Sequence, residues 1–217
     1  MPHSPGALYS VLLAALWFVG SAFGIVRCLK NGGRTRWLGA SGWIVVMIGG
    51  SGFFAPSLLQ EGVFRPSSAL QWPAGYVNGV ATTPDGKYVV PLSAPGRVQL
   101  YDSRWRFIRG WQVRAGGGDL KVETTPEGTI EVFTSRGLQH YSFTQEGVPI
   151  LAVRSGAGAD DNYGFLPRGK SIAVPTSRLL WVFSSPFLCL LVTAIGMAGL
   201  AIEKKLAAPK MDQVRNH

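Results

Sequence analysis

The chain has 217 residues, of which 47% are hydrophobic and only 15% are charged, and its formal net charge is +9. Eight of the 21 Lys and Arg residues flank long apolar segments, and residues 60–178 are nearly balanced at 13 basic against 10 acidic residues. Because a nucleic-acid surface needs a concentrated basic patch, no nucleic-acid partner is expected. Both cysteines, Cys28 and Cys189, lie outside residues 60–178, which excludes a disulfide within that segment.

The first predicted element is an apolar helix over residues 7–26, which follows a segment, 1–6, without Lys or Arg. A helix rises about 1.5 Å per residue and the hydrocarbon core of a bilayer is about 30 Å thick, so this segment can cross a membrane once. Basic residues follow it in a loop, 27–36, as in a signal anchor, whereas a cleaved signal peptide has them in front. We therefore expect the first helix to be retained.

Two further uncharged apolar segments span residues 37–59 and 179–202, and a basic tail, 203–217, follows the last of them. Lys and Arg in short loops are retained on the cytoplasmic side. The loop 27–36 and the tail are therefore predicted to be cytoplasmic, and the N-terminus and residues 60–178 to be extracytoplasmic. The predicted location is a cell membrane, inner or plasma, crossed three times.

Small residues recur along the predicted helices and let helix backbones approach closely. The candidates for helix packing are Gly20, Gly24, Gly42, Gly49, Ala194 and Ala198. These residues favour association of the helices with one another or with partner subunits. No Asp, Glu, Lys, Arg or His lies within the three segments, where ion pathways usually carry such groups.

Residues 60–178 are predicted to form an all-β domain. Short runs rich in Val, Ile, Tyr, Phe and Thr alternate with Pro, Gly, Asp and Ser at intervals of about eight to twelve residues, as in strands joined by turns. The predicted strands are residues 77–82, 88–92, 98–102, 107–112, 120–124, 129–134, 138–143 and 149–153.

These strands form two repeats. Thr-Thr-Pro-Asp-Gly at 82–86 recurs 42 residues later as Thr-Thr-Pro-Glu-Gly, and Val-Gln-Leu-Tyr at 98–101 matches Leu-Gln-His-Tyr 40 residues later. A period of about 40–45 residues with four strands is typical of propeller blades, of which about four to eight close a ring. The domain is therefore predicted to be two blades of a propeller completed by other subunits, or a small β-sandwich.

The first repeat reads Gly-Val-Ala-Thr-Thr-Pro-Asp-Gly-Lys-Tyr-Val-Val over 79–90, Gly-Arg-Val-Gln-Leu-Tyr-Asp over 96–102 and Arg-Phe-Ile over 106–108. This pattern resembles the NHL-type β-propeller repeat, with its Pro-Asp-Gly turn, its Arg-Val-Gln strand ending in an acidic residue and its last strand beginning with Phe. The second repeat has Ser142 in place of the acidic residue. The resemblance covers residues 77–153 and implies a propeller-like fold with a binding or scaffolding role and no catalytic residues.

Residues 164–171, Gly-Phe-Leu-Pro-Arg-Gly-Lys-Ser, match the phosphate-binding loop pattern. That loop needs a following helix to hold the phosphates, and Pro175 interrupts the stretch that follows, so we interpret it as a linker and expect no nucleotide. The histidines His3, His140 and His217 lie far apart without a ligand cluster, so neither a metal nor a cofactor is predicted. His140 is interpreted as a half-buried strand residue.

A group of arginines in the first repeat is the remaining candidate surface. It consists of Arg97, Arg104, Arg106, Arg109 and Arg114. It could contact anionic lipid headgroups or an acidic partner, and the solvent face of two strands is the simpler interpretation.

Taken together, the sequence predicts a non-enzymatic accessory or assembly subunit of a larger membrane protein complex. Its expected partners are the lipid bilayer and either other membrane protein subunits or further copies of the chain. The alternative is a membrane-anchored extracytoplasmic module that binds a ligand or a cell-envelope polymer. A docking role predicts apolar groups along exposed strand edges, whereas a ligand module predicts a concave pocket with convergent polar groups.

Overall fold

The structure, a computed structural model, describes residues 5–30, 35–60, 66–136, 138–154, 170–176 and 181–207. Within these ranges the helices are α1 (Pro5–Lys30), α2 (Arg36–Gln60) and α3 (Pro186–Ala207), with a short 3₁₀ helix at Trp181–Ser184. All three α-helices are long and apolar enough to cross a membrane. The chain divides into a helical unit, residues 9–54 and 185–217, and a β unit, residues 1–8 and 55–184.

The third helix begins and ends later than the apolar segment predicted at 179–202. Proline is favoured in the first helical turn because its missing N–H needs no partner there and its φ is already helical, and α3 begins at Pro186. Lys204 and Lys205 lie in its last turn, where positive charge is favoured by the helix dipole. Residues that the sequence assigns to the tail therefore belong to the helix.

The β unit contains ten described strands. They are β1 (Tyr76–Val77), β2 (Ala81–Thr82), β3 (Tyr88–Leu92), β4 (Arg97–Tyr101), β5 (Phe107–Gln112), β6 (Leu120–Thr124), β7 (Ile130–Thr134), β8 (Gln139–Phe143), β9 (Pro149–Arg154) and β10 (Ile172–Ala173). Strands β2 to β5 form one four-stranded antiparallel sheet and β6 to β9 form another, while β1 pairs with β10. The predicted combination of apolar helices with two four-stranded sheets is confirmed.

The predicted first strand, 77–82, is split into β1 and β2. Gly79 lies between them with φ of 71°, in the left-handed region that a strand cannot include. Its two halves consequently pair with different partners, β1 with β10 and β2 with β3.

The two four-stranded sheets pack face to face. Their shared core includes Val89, Val98 and Leu100 from the first sheet and Ile130 and Val132 from the second, all of them buried. Burying apolar surface stabilises a fold by about 25 cal/mol per Å², and this core is the main apolar contact between the repeats.

The opposite face of the first sheet is also covered. Ala74, Val77 and Val174, which come from β1, β10 and their flanking residues, form a second buried cluster with Val90 and Leu92 of β3. The first sheet is therefore the middle of three layers. Burial on both faces explains why β4 is buried at every position.

Equivalent residues of the two repeats are separated by a constant 42 positions. Thr82 of β2 and Thr124 of β6 are 42 residues apart. Val89 pairs with Leu100, and Glu131 pairs with Ser142 at the same offset. Val98 therefore corresponds to His140, so the 40-residue match in the sequence is wrong by two residues, and Thr144 rather than Ser142 stands at the position of Asp102. A shift of two keeps each side chain on the predicted face because strand side chains alternate with period two.

Candidate functional site

The second sheet turns one face away from the first sheet, and we call it the outer face. The first sheet places Val89, Val98 and Leu100 in the shared core. At the equivalent positions of the second sheet stand Glu131, His140 and Ser142. The second repeat thus carries polar side chains where the first carries the core residues that bind the next sheet.

These three polar side chains bind one another. The Ser142 hydroxyl donates to Glu131 Oε2 at 2.6 Å, and His140 Nε2 contacts the same carboxylate oxygen. A nucleophilic serine needs a base that is itself oriented by a third group. Here Ser142 and His140 both contact the Glu131 carboxylate. The three residues therefore do not form the sequence nucleophile, base and orienting group that an activated serine needs.

The rest of the outer face is likewise internally paired. The His140 ring stacks on Phe133 with centroids 4.5 Å apart, and Lys121 Nζ lies 5.7 Å from the Phe133 ring centroid. Lys121 also forms a 2.6 Å ion pair with Glu123. Among the described residues there is no group of three His, Cys, Asp or Glu that could hold a metal ion.

A polar network joins the two sheets at their turns. Lys87 Nζ lies 2.6 Å from Asp85 Oδ2 and donates to Gln145 Oε1 at 2.7 Å, linking the β2–β3 turn to the β8–β9 turn. Hydrogen bonds from Lys87 and Thr83 hold the pKa of Asp85 below its usual value. The Pro-Asp-Gly motif therefore contributes a contact between the repeats as well as a turn.

The Arg-Val-Gln strand of the first repeat holds residues 66–72, which include a β-turn closed by the Leu70 N–H and the Ser67 carbonyl, against the sheet. Arg97 is 0% exposed and donates from Nη2 to the carbonyl oxygens of Ser67 and Leu70 at 2.9 Å each. Gln99 donates to the carbonyl of Trp72 at 2.9 Å. Nε and Nη1 of Arg97 are buried without a hydrogen-bond partner, and burial lowers the pKa of this guanidinium.

The outer edges of the two sheets differ. On β5, the Gly110 N–H donates to the carbonyl of Ser68 at 2.9 Å, so residues 66–72 cover that edge. On β9 the equivalent residue, Ala152, is exposed. Beside it, Val148, Ile150 and Leu151 are 56%, 58% and 46% exposed. Among the described residues no other segment is hydrogen-bonded to the β9 edge, which is apolar and accessible.

Of the five candidate arginines, Arg97 is buried, so its predicted place on a solvent face is wrong, and the other four are spread along the β4–β5 hairpin. Arg104 and Arg106 lie at the turn, where Arg106 Nε is 2.6 Å from Asp102 Oδ2. Arg109 donates to the carbonyl of Glu146 at 3.2 Å, and Arg114 lies beyond the far end of β5. Backbone and side-chain hydrogen bonds from Arg106 hold the pKa of Asp102 below its usual value. The fold does not gather the four side chains at one point.

The six candidate helix-packing residues fall into two groups. Gly24 faces the Trp43 ring of α2, while on α2 Gly42 faces Leu200 and Gly49 faces Thr193 of α3. A Cβ on Gly49 would lie 2.6 Å from the backbone N of Thr193. The remaining three, Gly20, Ala194 and Ala198, are exposed within the chain.

The residues that match the phosphate-binding loop lie mostly outside the described part of the chain. Lys170 and Ser171 are described, and both are exposed. The strand β10 follows them directly, at the place where a phosphate-binding loop needs the first turn of a helix. The described residues thus lack the element that would hold a phosphate there.

Comparison with known protein families found no match, and a search of curated proteins found none either. The cluster of Glu131, His140 and Ser142 was missed in the sequence because the repeats were aligned there with an offset of 40. The offset of 42 given by the Thr-Thr-Pro turns would have placed these polar residues opposite Val89, Val98 and Leu100.

Proposed function

We propose that this protein is a non-enzymatic accessory or assembly subunit of a larger membrane protein complex. Its three helices cross the cell membrane, and its extracytoplasmic β unit, whose two sheets resemble NHL-type propeller blades, docks a partner. The observation that carries the proposal is the β9 edge, where Val148, Ile150 and Leu151 are about half exposed. An uncovered strand edge is an association site.

Two observations favour a self-contained pair of sheets over blades shared in a ring. A ring needs both outer faces of the pair for further blades, and the first sheet already has Ala74, Val77 and Val174 on its face. The second sheet presents the mutually bonded Glu131, His140 and Ser142. A polar outer face is typical of the terminal repeat that ends a stack.

The helical unit offers a second route to a partner. Gly20, Ala194 and Ala198 leave small, exposed positions on α1 and α3, where another helix could approach closely. The proposed subunit would therefore be held in its complex by the helices within the bilayer and by the β unit outside it.

Topology can be tested by thiol labelling. In a chain with Cys28→Ser and Cys189→Ala, a single cysteine at Ser103 should react with a membrane-impermeant reagent in intact cells, and one at Asp212 should not. The positive charge of loop 27–36 and of the tail sets this expectation. Labelling at position 212 with protection at 103 would invert the orientation and remove the extracytoplasmic role.

The subunit role itself is tested by extraction in a mild detergent from the cells that make the protein. We expect the chain to migrate with at least one other membrane protein in stoichiometric amount and to lose it in a harsh detergent. A chain that migrates alone in every mild detergent, and gives no cross-link in intact membranes, would contradict the proposal.

The alternative, a ligand-binding module, is favoured by one observation, the concentration of Lys121, Glu123, Glu131 and His140 on the outer face. These groups are already paired with one another, so a ligand would have to compete with existing bonds. Binding of soluble envelope polysaccharide to the purified protein, measured by titration, tests this role. Binding that Lys121→Ala weakens would support a ligand-binding module, and no binding would favour docking.

A further inference from the structure

The last residues of α2, 55–60, belong to the β unit and are bonded to it. Gln60 Nε2 donates to the Ser93 carbonyl at 2.9 Å, and Gln112 Nε2 donates to the carbonyl of the fully buried Leu59 at 3.2 Å. Leu59 and Gln60 also end the 25-residue apolar span of α2, and about 20 residues suffice to cross the hydrocarbon core. The part of the β unit that is bonded to them therefore begins where the chain leaves the bilayer.

Three connections between strands meet at this end of the two sheets. The Val113 N–H donates to the Gly96 carbonyl at 2.7 Å, which joins the β5–β6 connection to the β3–β4 turn. The Ser135 N–H donates to the Asp119 carbonyl at 3.0 Å, which joins the same connection to the β7–β8 turn. We call the described residues of these connections the α2 end; they are residues 93–96, 113–119, 135, 136 and 138.

The α2 end carries a leucine in an unfavourable backbone conformation. Leu138 has φ of 46°, whereas the repeat-equivalent residue, Gly96, reaches φ of 61° without a side chain to strain it. The other described non-glycine residue with positive φ, Trp105, packs against the second buried cluster and stacks on Tyr88. Leu138 belongs to neither buried cluster and is 37% exposed. Because strained residues cluster at functional sites, this leucine indicates a contact beyond the folded chain.

Positive charge stands beside this leucine. Arg114 and Arg136 are both exposed at the α2 end, and Asp119 is the one acidic residue of that end. A Cβ on Gly117 would lie 3.3 Å from Arg136 Nη1 and 3.5 Å from Gln60 Oε1, so the Arg136 guanidinium lies close to the last residue of α2. Lys and Arg near a membrane surface attract anionic lipid headgroups. The α2 end thus combines an apolar side chain with basic ones where the chain enters water.

The far end of the two sheets has the opposite balance of charge. It holds four acidic residues against three basic ones, in the turns at 83–87, 102–106, 125–129 and 144–148. Lys87 and Arg106 are ion-paired there with Asp85 and Asp102. Of the arginines considered from the sequence, only Arg114 is exposed at the α2 end. An anionic surface is therefore favoured at the α2 end and not at the far end.

We propose that the α2 end rests on an anionic phospholipid surface, with Leu138 inserted among the headgroups and Arg114 and Arg136 bound to lipid phosphates. Membrane attachment of this kind combines buried apolar area with attraction to anionic lipids. The contact holds the β unit to the leaflet from which α2 emerges. It requires only that α2 crosses the membrane, so it does not depend on the proposed role as an accessory subunit.

The test uses the purified full chain with Cys28→Ser and Cys189→Ala, in nanodiscs of phosphatidylcholine and phosphatidylglycerol. A spin label is attached to a single cysteine in place of Leu138 or, as matched control, of Val148, an exposed apolar residue in a turn at the far end. We expect the label at 138 to collide more with oxygen, which concentrates in lipid, than with a water-soluble nickel chelate. The label at 148 should show the reverse preference.

Arg136→Gln removes one charge from the α2 end, and Arg104→Gln, at an equally exposed position, removes one from the far end. With the label at 138, Arg136→Gln should shift the equilibrium from lipid-inserted to water-exposed label by roughly fivefold. Arg104→Gln should leave that equilibrium unchanged. Omitting phosphatidylglycerol or raising the salt concentration should shift it in the same direction as Arg136→Gln, because both weaken the attraction to headgroups.

Leu138→Asn checks that the leucine is not retained for packing. Asparagine has a polar side chain and adopts the left-handed conformation readily, so this variant should melt in detergent at or above the wild-type temperature. A lower melting temperature would mean that Leu138 stabilises the fold and would overturn its role as a lipid contact.

Three results of the labelling would also overturn the proposal. They are a label at 138 that prefers the nickel chelate, a label at 138 that is shielded from both reagents, and an insertion that neither phosphatidylglycerol nor Arg136→Gln changes. The first would leave the β7–β8 turn in water, the second would place Leu138 against protein, and the third would remove the anionic headgroup from the contact.

Discussion

At the scale of single residues, Arg97 is a buried cation that forms no ion pair with an acidic side chain in the described part of the chain. It gives two hydrogen bonds to Ser67 and Leu70, yet two of its nitrogens are unsatisfied. A buried charge without an opposite charge beside it carries a desolvation cost that removal of the guanidinium relieves. We expect Arg97→Met to melt at or above the wild-type temperature, and Arg97→Ala, which leaves a cavity, to lose about 2–4 kcal/mol.

Thermal unfolding of the purified chain in detergent measures both variants. If Arg97→Met is as unstable as Arg97→Ala, the two hydrogen bonds to the 66–70 segment outweigh the cost of burying the guanidinium, and the segment depends on that charge for its position.

Asp85 gives a pH-dependent prediction. Its pKa is lowered by hydrogen bonds from Lys87 and Thr83 from an ordinary value of 3.8. A carboxyl with a lowered native pKa contributes stability that is present above its unfolded pKa and is lost as the pH falls through the native pKa. Asp85→Asn should therefore lower the melting temperature at pH 7.

The stability gap between wild type and Asp85→Asn should close as the pH is lowered past about 4, towards the depressed native pKa. Other carboxylates with lowered pKa values, such as Asp102, titrate in both proteins, so the comparison isolates Asp85. A gap that persists unchanged at pH 2.5 would mean that the Asp85 charge does not support the turn.

At the scale of elements, Gly49 sets the distance between α2 and α3. A Cβ there would lie 2.6 Å from the backbone N of Thr193 and 2.7 Å from the carbonyl oxygen of Cys189, and neither backbone atom can turn aside as a side chain can. Gly49→Ala should therefore separate the helices and lower the detergent melting temperature. The matched control is Gly20→Ala, whose Cβ meets nothing within 4 Å and should leave that temperature unchanged. Equal effects of the two substitutions would contradict this packing.

The elements also show what a sequence can and cannot predict. Strand β3 was predicted with its observed bounds because apolar runs between turns are local signals. The cover formed by residues 66–70 has no periodic pattern, since its position depends on bonds to Arg97 and Gly110, and sequence analysis did not find it. The role of His140 depends on pairing β8 to β7 with the correct offset, which two similar tetrapeptides obscured.

At the scale of the whole molecule, the open question is whether two repeats suffice for a folded β unit. The sequence alone favours neither a shared ring nor a sandwich, and open blade faces predict that isolated residues 60–178 self-associate. The structure places Val77 and Val174 over the face of the first sheet that points away from the second sheet. The bonded pair Glu131–His140 lies on the outer face of the second sheet. With both faces closed, we expect the isolated segment to be a monomer that unfolds cooperatively.

The contrasting variant gives the second sheet the core residues of the first, Glu131→Val, His140→Val and Ser142→Leu. This change converts the outer face into an apolar surface like the one that the first sheet buries, and exposed sheets of that kind associate. Sedimentation velocity and calorimetry should show a wild-type monomer with a single transition and a triple variant that dimerises or aggregates. Self-association of the wild-type segment, undiminished by Ile150→Lys on the β9 edge, would restore the ring of shared blades.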